Sequence, residues 1–202
     1  MDYRERIIEA AAKMFRTYGI RAATMDMLAS QMGISKRTIY EVFRDKDELL
    51  HGVLKWMKIR QGETMTKILG ESENVIQAIF RMLELMRDHF QNMSPAFHMD
   101  MRRYHNDLII NLGETNELPY YSTNSEIIRR GIKEGIFRKE IDVEITNKCI
   151  VEVARISNDP ELFPPEDFLR KDVIRNVYLN YLRGISTQKG LDLIDYYDKK
   201  QA

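Results

Sequence analysis

What the chain lacks narrows its possible roles first. It has one cysteine, Cys149, in 202 residues. No internal disulfide and no thiolate zinc cluster can form, and a reducing, intracellular setting fits. Net charge is missing as well, because 31 Lys and Arg stand against 31 Asp and Glu. Global charge therefore argues neither for nor against nucleic acid, and any basic site has to be local. No apolar run approaches the roughly 18 residues of a membrane helix. The opening MDYRERIIEAAAKMF has no apolar core of signal-peptide type, so the cytoplasm is the expected compartment. No Gly-rich phosphate loop, serine-nucleophile elbow or HExxH motif is present, and no catalytic residue, metal or cofactor is expected. No strand-like alternation survives comparison with a helical template, and no internal repeat is found.

The most specific pattern lies at 24–43, TMDMLASQMGISKRTIYEVF. It reads as two short helices joined at Gly33, where glycine accepts a positive φ at little cost. Leu28, Met32, Ile34, Ile39 and Val42 fall where a helix-turn-helix unit buries its inner face. Ala29 sits where the two helices cross and a larger side chain would push them apart. Opposite that core stand Lys36, Arg37, Thr38 and Tyr40, which are hydrogen-bond donors on a segment short enough to enter a DNA major groove. Thr24 and Ser35 fall at the N-caps of the two helices.

Ahead of this unit, Asp2 caps a helix over 2–18 with a stripe of Ile7, Ile8, Ala11, Phe15 and Tyr18, stopped by Gly19. After it, Asp45 and Glu48 stand in capping-box spacing at the start of a fourth helix. Lys46 at that N-terminus is either a phosphate contact or a solvated charge. Leu49, Leu50, Val53, Leu54, Met57, Met65 and Ile68 give this helix an apolar face up to Gly70. No Pro/Gly/Ser-rich linker follows, so the N-terminal unit should be coupled to the rest of the chain.

Everything beyond Gly70 reads helical. A helix over 73–93 carries Val75, Ile76, Ile79, Phe80, Leu83, Met86 and Phe90, and Ser94-Pro95 opens another. Pro119 predicts a kink or break, after which Ile127, Ile128 and Ile132 restore the pattern up to Gly135. Asp142 caps a helix expected to bury Ile145, Cys149, Ile150, Val153 and Ala154. A three-proline loop over 158–165, a helix to Ile185 and a short last helix over 191–197 complete the chain. The helix over 171–185 has Val173, Val177 and Tyr181 on one face and Ile174, Tyr178, Leu182 and Ile185 on the next. That arc is too wide for one neighbour. Either the helix sits in a large core, or it packs on its own chain and on a second copy, with the helix from Asp142 as companion. The expected fold is all-α, with about nine or ten helices. A three-helix helix-turn-helix DNA-binding domain spans 1–48, and a larger helical bundle for ligand binding and dimerisation spans 49–202.

TMDMLASQMGISKRTIYEVFRDKDELL, at 24–50, resembles the signature of the tetracycline-repressor (TetR) family of bacterial transcription regulators. The likeness includes the Thr opening helix two, the Ala and Gly of the turn unit, Ser-Lys opening helix three, Tyr then Phe at its end, and Lys-Asp-Glu-Leu opening helix four. Phe15 and Gly19 of helix one fit as well, and GIKEGIFRKEID is similar to a looser family pattern. The resemblance implies an all-α homodimer whose two heads bind successive major grooves of a near-palindromic, double-stranded operator. It also implies a C-terminal domain that holds a small-molecule effector pocket. An effector preferring the wrong head spacing would release the DNA by population shift.

Carried over on this resemblance, Lys36, Arg37 and Thr38 are the groove-facing positions, and Tyr40, Lys46 and Thr24 are phosphate contacts. Thr24 could instead be a cap only, and Tyr40 a core tyrosine. Residues 1–50 hold nine basic against eight acidic side chains, so binding should depend on placement and on having two heads. Phe90, Met93, Phe97, His98, Met101, Arg102, Tyr104 and His105 mix aromatic, thioether and hydrogen-bonding groups, as an effector pocket does. Ordinary core with a solvated rim is the alternative. His98 and His105 lack a third ligand for a metal, and Cys149 reads as a small buried hydrophobe. Two classes of function are open. One is a ligand-responsive DNA-binding regulator, more readily a repressor than an activator. The other is a helical small-molecule-binding protein or enzyme with a helix-turn-helix appendage.

Overall fold

The computed structural model describes residues 2–91, 93–104, 119–157, 159, 161–164 and 166–200, with side chains throughout these except at 89–91, 98, 102–104, 119–122 and 170. Among the described residues there are ten helices and no strand. They are α1 (Tyr3–Tyr18), α2 (Met25–Met32), α3 (Lys36–Val42), α4 (Lys46–Glu71), α5 (Val75–Gln91), α6 (Pro95–Tyr104), α7 (Pro119–Lys133), α8 (Val143–Ser157), α9 (170–185) and α10 (Gln188–Lys200). No helix of the described residues is long and apolar enough to cross a membrane. Two compact units are present: Met1–Thr64 with Glu84–Pro119, and Met65–Leu83 with Tyr120–Ala202.

In the first unit the local sequence sets the helix ends directly. The Asp2 carboxylate accepts from the Arg4 N–H, the Thr24 hydroxyl from the Met27 N–H at 3.1 Å, and the Ser35 hydroxyl from the Thr38 N–H at 3.0 Å. Gly33 adopts φ 65°, and the Ile34 and Gly33 N–H groups close back on the Ala29 and Ser30 carbonyls. At the start of α4 Asp45 accepts from the Glu48 N–H at 2.8 Å. Glu48 reaches back to the Arg44 N–H, also at 2.8 Å, so the capping box closes one residue earlier than its spacing suggests.

The core of this unit joins Ile7, Ala11, Phe15, Leu28, Ile39, Phe43, Leu49, Leu50 and Val53 with Phe97 and Met101 of α6. Tyr18, expected in the stripe of α1, is exposed, because the helix ends there and the chain turns at Gly19. Gly19 adopts φ 85° and ψ 166°. Side chains avoid that region, and a Cβ there would stand 2.8 Å from the Ala96 Cβ. α6 packs so closely only because residue 19 has no side chain.

In the second unit Arg130 of α7 acts as a staple. Its guanidinium donates to the Leu69 and Ser72 carbonyls at the end of α4 and to the Glu134 carboxylate, which in turn accepts from the Val75 N–H opening α5. The free carbonyls of one helix end and a free N–H of the next helix start are thus satisfied by one ion pair. Pro119 falls at a helix start. It occupies the first position of α7, where a missing N–H costs nothing. α10 is also longer than the expected 191–197.

Two expectations for this unit hold only in part. α8 buries Thr146, Asn147, Ile150 and Ser157, while Ile145 is 64% exposed, Cys149 is exposed, and Val153 and Ala154 are only half-buried. Both stripes of α8 are partly apolar, and periodicity alone does not choose between them. The polar one goes inward because the Asn147 amide donates to the Ser125 hydroxyl at 2.7 Å and the Ser157 hydroxyl to the Val153 carbonyl. In α9, a π-helical turn at Arg175–Leu179 separates Arg170–Ile174 from Asn180–Ile185. Its i→i+5 step breaks the predicted faces: Val173, Leu179, Leu182 and Ile185 are buried, and Val177 and Tyr181 are half-buried.

Two comparisons test these packing arguments. Gly19→Ala should cost about 3 kcal/mol in urea unfolding, since strain and a clash add, while Gly33→Ala, with open space around its Cβ, should cost about 1 kcal/mol. Equal losses would contradict the close approach of α6. Arg130→Ala should cost about 2–3 kcal/mol by stranding two carbonyls, and Arg130→Lys should recover only part of it, because an ammonium lacks the fork.

Candidate nucleic-acid interface

α3 is seven residues long and turns Ile39 fully inward, with Phe43 buried just beyond its end. Its other face carries the predicted donors. Lys36 and Arg37 are exposed and Thr38 is half-buried, its hydroxyl 2.7 Å from that of Ser35. Tyr40 is 44% exposed and is no core tyrosine. Thr24 is exposed, and its hydroxyl oxygen caps α2 while its proton is left for an acceptor outside.

The cations on this face are held by carboxylates. Lys36 Nζ lies 2.7 Å from Asp26 Oδ2, Arg37 Nε lies 3.1 Å from Glu41 Oε1, and Arg44 Nε lies 2.8 Å from Asp45 Oδ2. The bond to Asp26 raises the Lys36 ammonium above the ordinary lysine value. Lys46 differs. It is half-buried and donates to the Arg21 carbonyl at 3.4 Å. Desolvation pulls it below the usual lysine range, against the attraction of Asp100 and Asp47.

Asp100 carries no local signal, being 79 residues from its partner, and sequence reasoning missed it. Only 9% exposed, it accepts from the Arg21 backbone N–H at 2.8 Å. The Ser94 N–H donates to the Arg16 carbonyl at 2.8 Å. Both ends of the α1–α2 connection are therefore bonded to the segment that carries α6. Asp26 was missed as well, because its pairing with Lys36 crosses two helices. The Arg37–Glu41 pair, four residues apart on one helix, could have been found from spacing.

Of the residues expected to form an effector pocket, Phe97 and Met101 are buried in the first unit's core, and Met93 packs half-buried against it. The side chains of Phe90, His98, Arg102 and Tyr104, and His105 as a whole, lie outside the described residues. Of the expected interface residues, Val173 is buried within its own chain, and Val177 and Tyr181 are half-buried. The Tyr181 hydroxyl is pushed up to about 12, first by burial and then by its bond to Cys149, which sets α8 beside α9.

The profile of bacterial regulatory proteins of the tetR family matches residues 7–53, which take in most of α1, all of α2 and α3 and the start of α4. The chain is 30% identical over 198 residues to the HTH-type transcriptional regulator YhgD of Bacillus subtilis, covering 92% of this chain and 98% of that one. It is 24% identical over 192 residues to the HTH-type transcriptional repressor KstR2 of Mycobacterium tuberculosis, covering 93% and 94%. Its fold matches that of a transcriptional regulator from Cytophaga hutchinsonii with a TM-score of 0.68 at 23% identity, covering 91% and 98%. With a capped helix-turn-helix, a donor-bearing outer face on α3 and full-length likeness to such regulators, the chain belongs to the TetR family of DNA-binding transcription regulators.

Proposed function

We propose that the protein is a repressor that reads a near-palindromic operator as a homodimer in the cytoplasm and leaves it when a small molecule binds. The observation that carries the DNA-reading part is the division of α3. Ile39 and Phe43 anchor it in the core, so the exposed Lys36, Arg37 and Tyr40 and the half-buried Thr38 are presented on a fixed surface. In this reading Lys36, Arg37 and Thr38 meet base edges, and Thr24, Tyr40 and Lys46 meet phosphates. Residues 1–48 do the reading, while 49–202 sense the ligand and dimerise. The relative KstR2 is a repressor, which supports that sign of regulation. The protein acts by occupying DNA and not by turnover.

The effector engages the α5–α6 region, with Phe90, Met93, Phe97, Met101, Tyr104 and His105 as its residues. Support comes from α6 itself, which shares its core with the head and bonds to the turn before α2. A ligand that shifts α6 has a direct mechanical route to α2 and α3. Dimerisation uses the outer faces of α8 and α9, with the half-buried Val177 and Tyr181 on the latter, while Val173 belongs to its own chain's core. The exposed apolar side chains Ile145, Ile156, Leu162, Phe168 and Leu169 support this, since a monomer would leave them all in water.

Gel shifts with the operator and with unrelated DNA across salt concentrations test the reading face. Arg37→Ala should relax base preference at its contact by about 1–3 kcal/mol. Tyr40→Phe and Lys46→Ala should weaken all DNA binding alike, and Lys46→Ala should lower the salt slope by about 1 per head. Wild-type operator binding by all three variants would reject the assignment.

The interface is tested by Ile145→Glu and Tyr181→Glu. Ile145 is exposed in the single chain, so its variant keeps its fold. Sedimentation should show monomers that have lost specific operator binding. A dimer surviving both substitutions would reject this interface.

A further inference from the structure

The stretch that reads DNA is not basic. Between Thr24 and Leu50 the basic residues are Lys36, Arg37, Arg44 and Lys46, against the acidic Asp26, Glu41, Asp45, Asp47 and Glu48. The two cations at the front of α3 are each bound to a carboxylate on the same surface. Lys36 and Asp26 are 47% and 69% exposed at 2.7 Å, and Arg37 and Glu41 are 89% and 60% exposed at 3.1 Å. Ion pairs this exposed add about 0–1 kcal/mol to stability, so folding alone does not account for them. Neither carboxylate is needed as a cap, since Thr24 and Ser35 cap α2 and α3.

Their effect on DNA is larger. Affinity for any DNA, whatever its sequence, comes from cations that neutralise phosphates and release counterions. A lysine already neutralised by a carboxylate 2.7 Å away releases little, and it brings an anion toward the phosphates. Base edges impose no such penalty. They offer acceptors on guanine to the cation and an amino donor on cytosine to the carboxylate. An ion pair on a reading helix therefore loses more against backbone than against a matched groove, and specificity is a difference of affinities.

We propose that Asp26 and Glu41 are specificity-determining residues, which hold Lys36 and Arg37 aimed at base edges and suppress binding to DNA of other sequences. The proposal rests on the reading face assigned above. Lys46 fits as the counterpart, since its ammonium donates to a backbone carbonyl and is left to serve a phosphate.

The test measures binding of the full-length dimer to operator and to unrelated duplex over a salt series, for Asp26→Asn, Glu41→Gln and the double variant Lys36→Gln/Asp26→Asn. Each single variant should steepen the salt slope on unrelated DNA by about 1 per head and raise that affinity by about tenfold at 0.1 M salt. Operator affinity should rise less, so the operator-to-unrelated ratio falls. The double variant, which removes both charges, should return the slope on unrelated DNA to the wild-type value, as no purely structural effect would. An unchanged slope in both single variants, or a loss of operator affinity with unrelated binding unmoved, overturns the proposal. Arg37→Ala separates the two levels. If it leaves operator binding intact, as do Tyr40→Phe and Lys46→Ala, the reading face itself is wrong. If it weakens operator binding while the acid variants change nothing, only this inference fails.

Discussion

A helix of seven residues does not persist in water by itself, because nucleation costs more than so few hydrogen bonds return. α3 exists because its two ends are fixed and its inner face is buried. Ser35 caps the start, and Ile39 and Phe43 sit at zero exposure. The Arg4 guanidinium lies 4.5 Å from the centre of the Phe43 ring, which ties the end of α3 to α1. The outer face inherits that rigidity. Lys36, Arg37 and Tyr40 gain their orientation from side chains on the other side of the helix, so the core of the first unit is also the support of its proposed reading surface.

The same core reaches into α6. Phe97 and Met101 fill it, Gly19 lets the helix approach, and Asp100 holds the Arg21 N–H. The three features act together. The carboxylate can reach that N–H only because residue 19 has no Cβ in the way, and a buried carboxylate is tolerable only with a strong donor. Asp100 also raises the charge preference of Lys46, which burial lowers. A proposed phosphate contact and a helix of the proposed sensing region therefore share one electrostatic environment.

Much of this was legible in the residues, for identifiable reasons. Caps are local, so Asp2, Thr24, Ser35 and Asp45 could be read from one turn of sequence. Gly33 announced its own turn. Long-range pairings carried no such signal: neither Asp100 with Arg21 nor Arg130 with the end of α4 leaves a trace in spacing. Helix type was recovered among the described residues, and helix facing was recovered for α1 to α5 but not for α8 and α9. α8 has two candidate stripes, and the partly buried hydrogen bond from Asn147 to Ser125 favours the polar one. The π turn at Arg175–Leu179 shifted every later residue of α9, which a period of 3.6 does not anticipate. The donors on the outer face of α3 could be named in advance, and their carboxylate partners only in part.

The energy scale of the α6 link bears on how a ligand could switch the head. A hydrogen bond to a buried charged acceptor is worth about 1.5–3 kcal/mol net, and an effector shifts an equilibrium only by its differential affinity for the two states. Loss of the Asp100 bond in one head would thus change the population of the reading geometry by roughly 10- to 150-fold. That range is the ordinary size of allosteric coupling, so no larger rearrangement of the first unit is required. With local charge compensated, the proposed reading needs both heads of a dimer in register at once. In the proposed dimer, a bond of this strength broken in each head would act twice on the same operator complex.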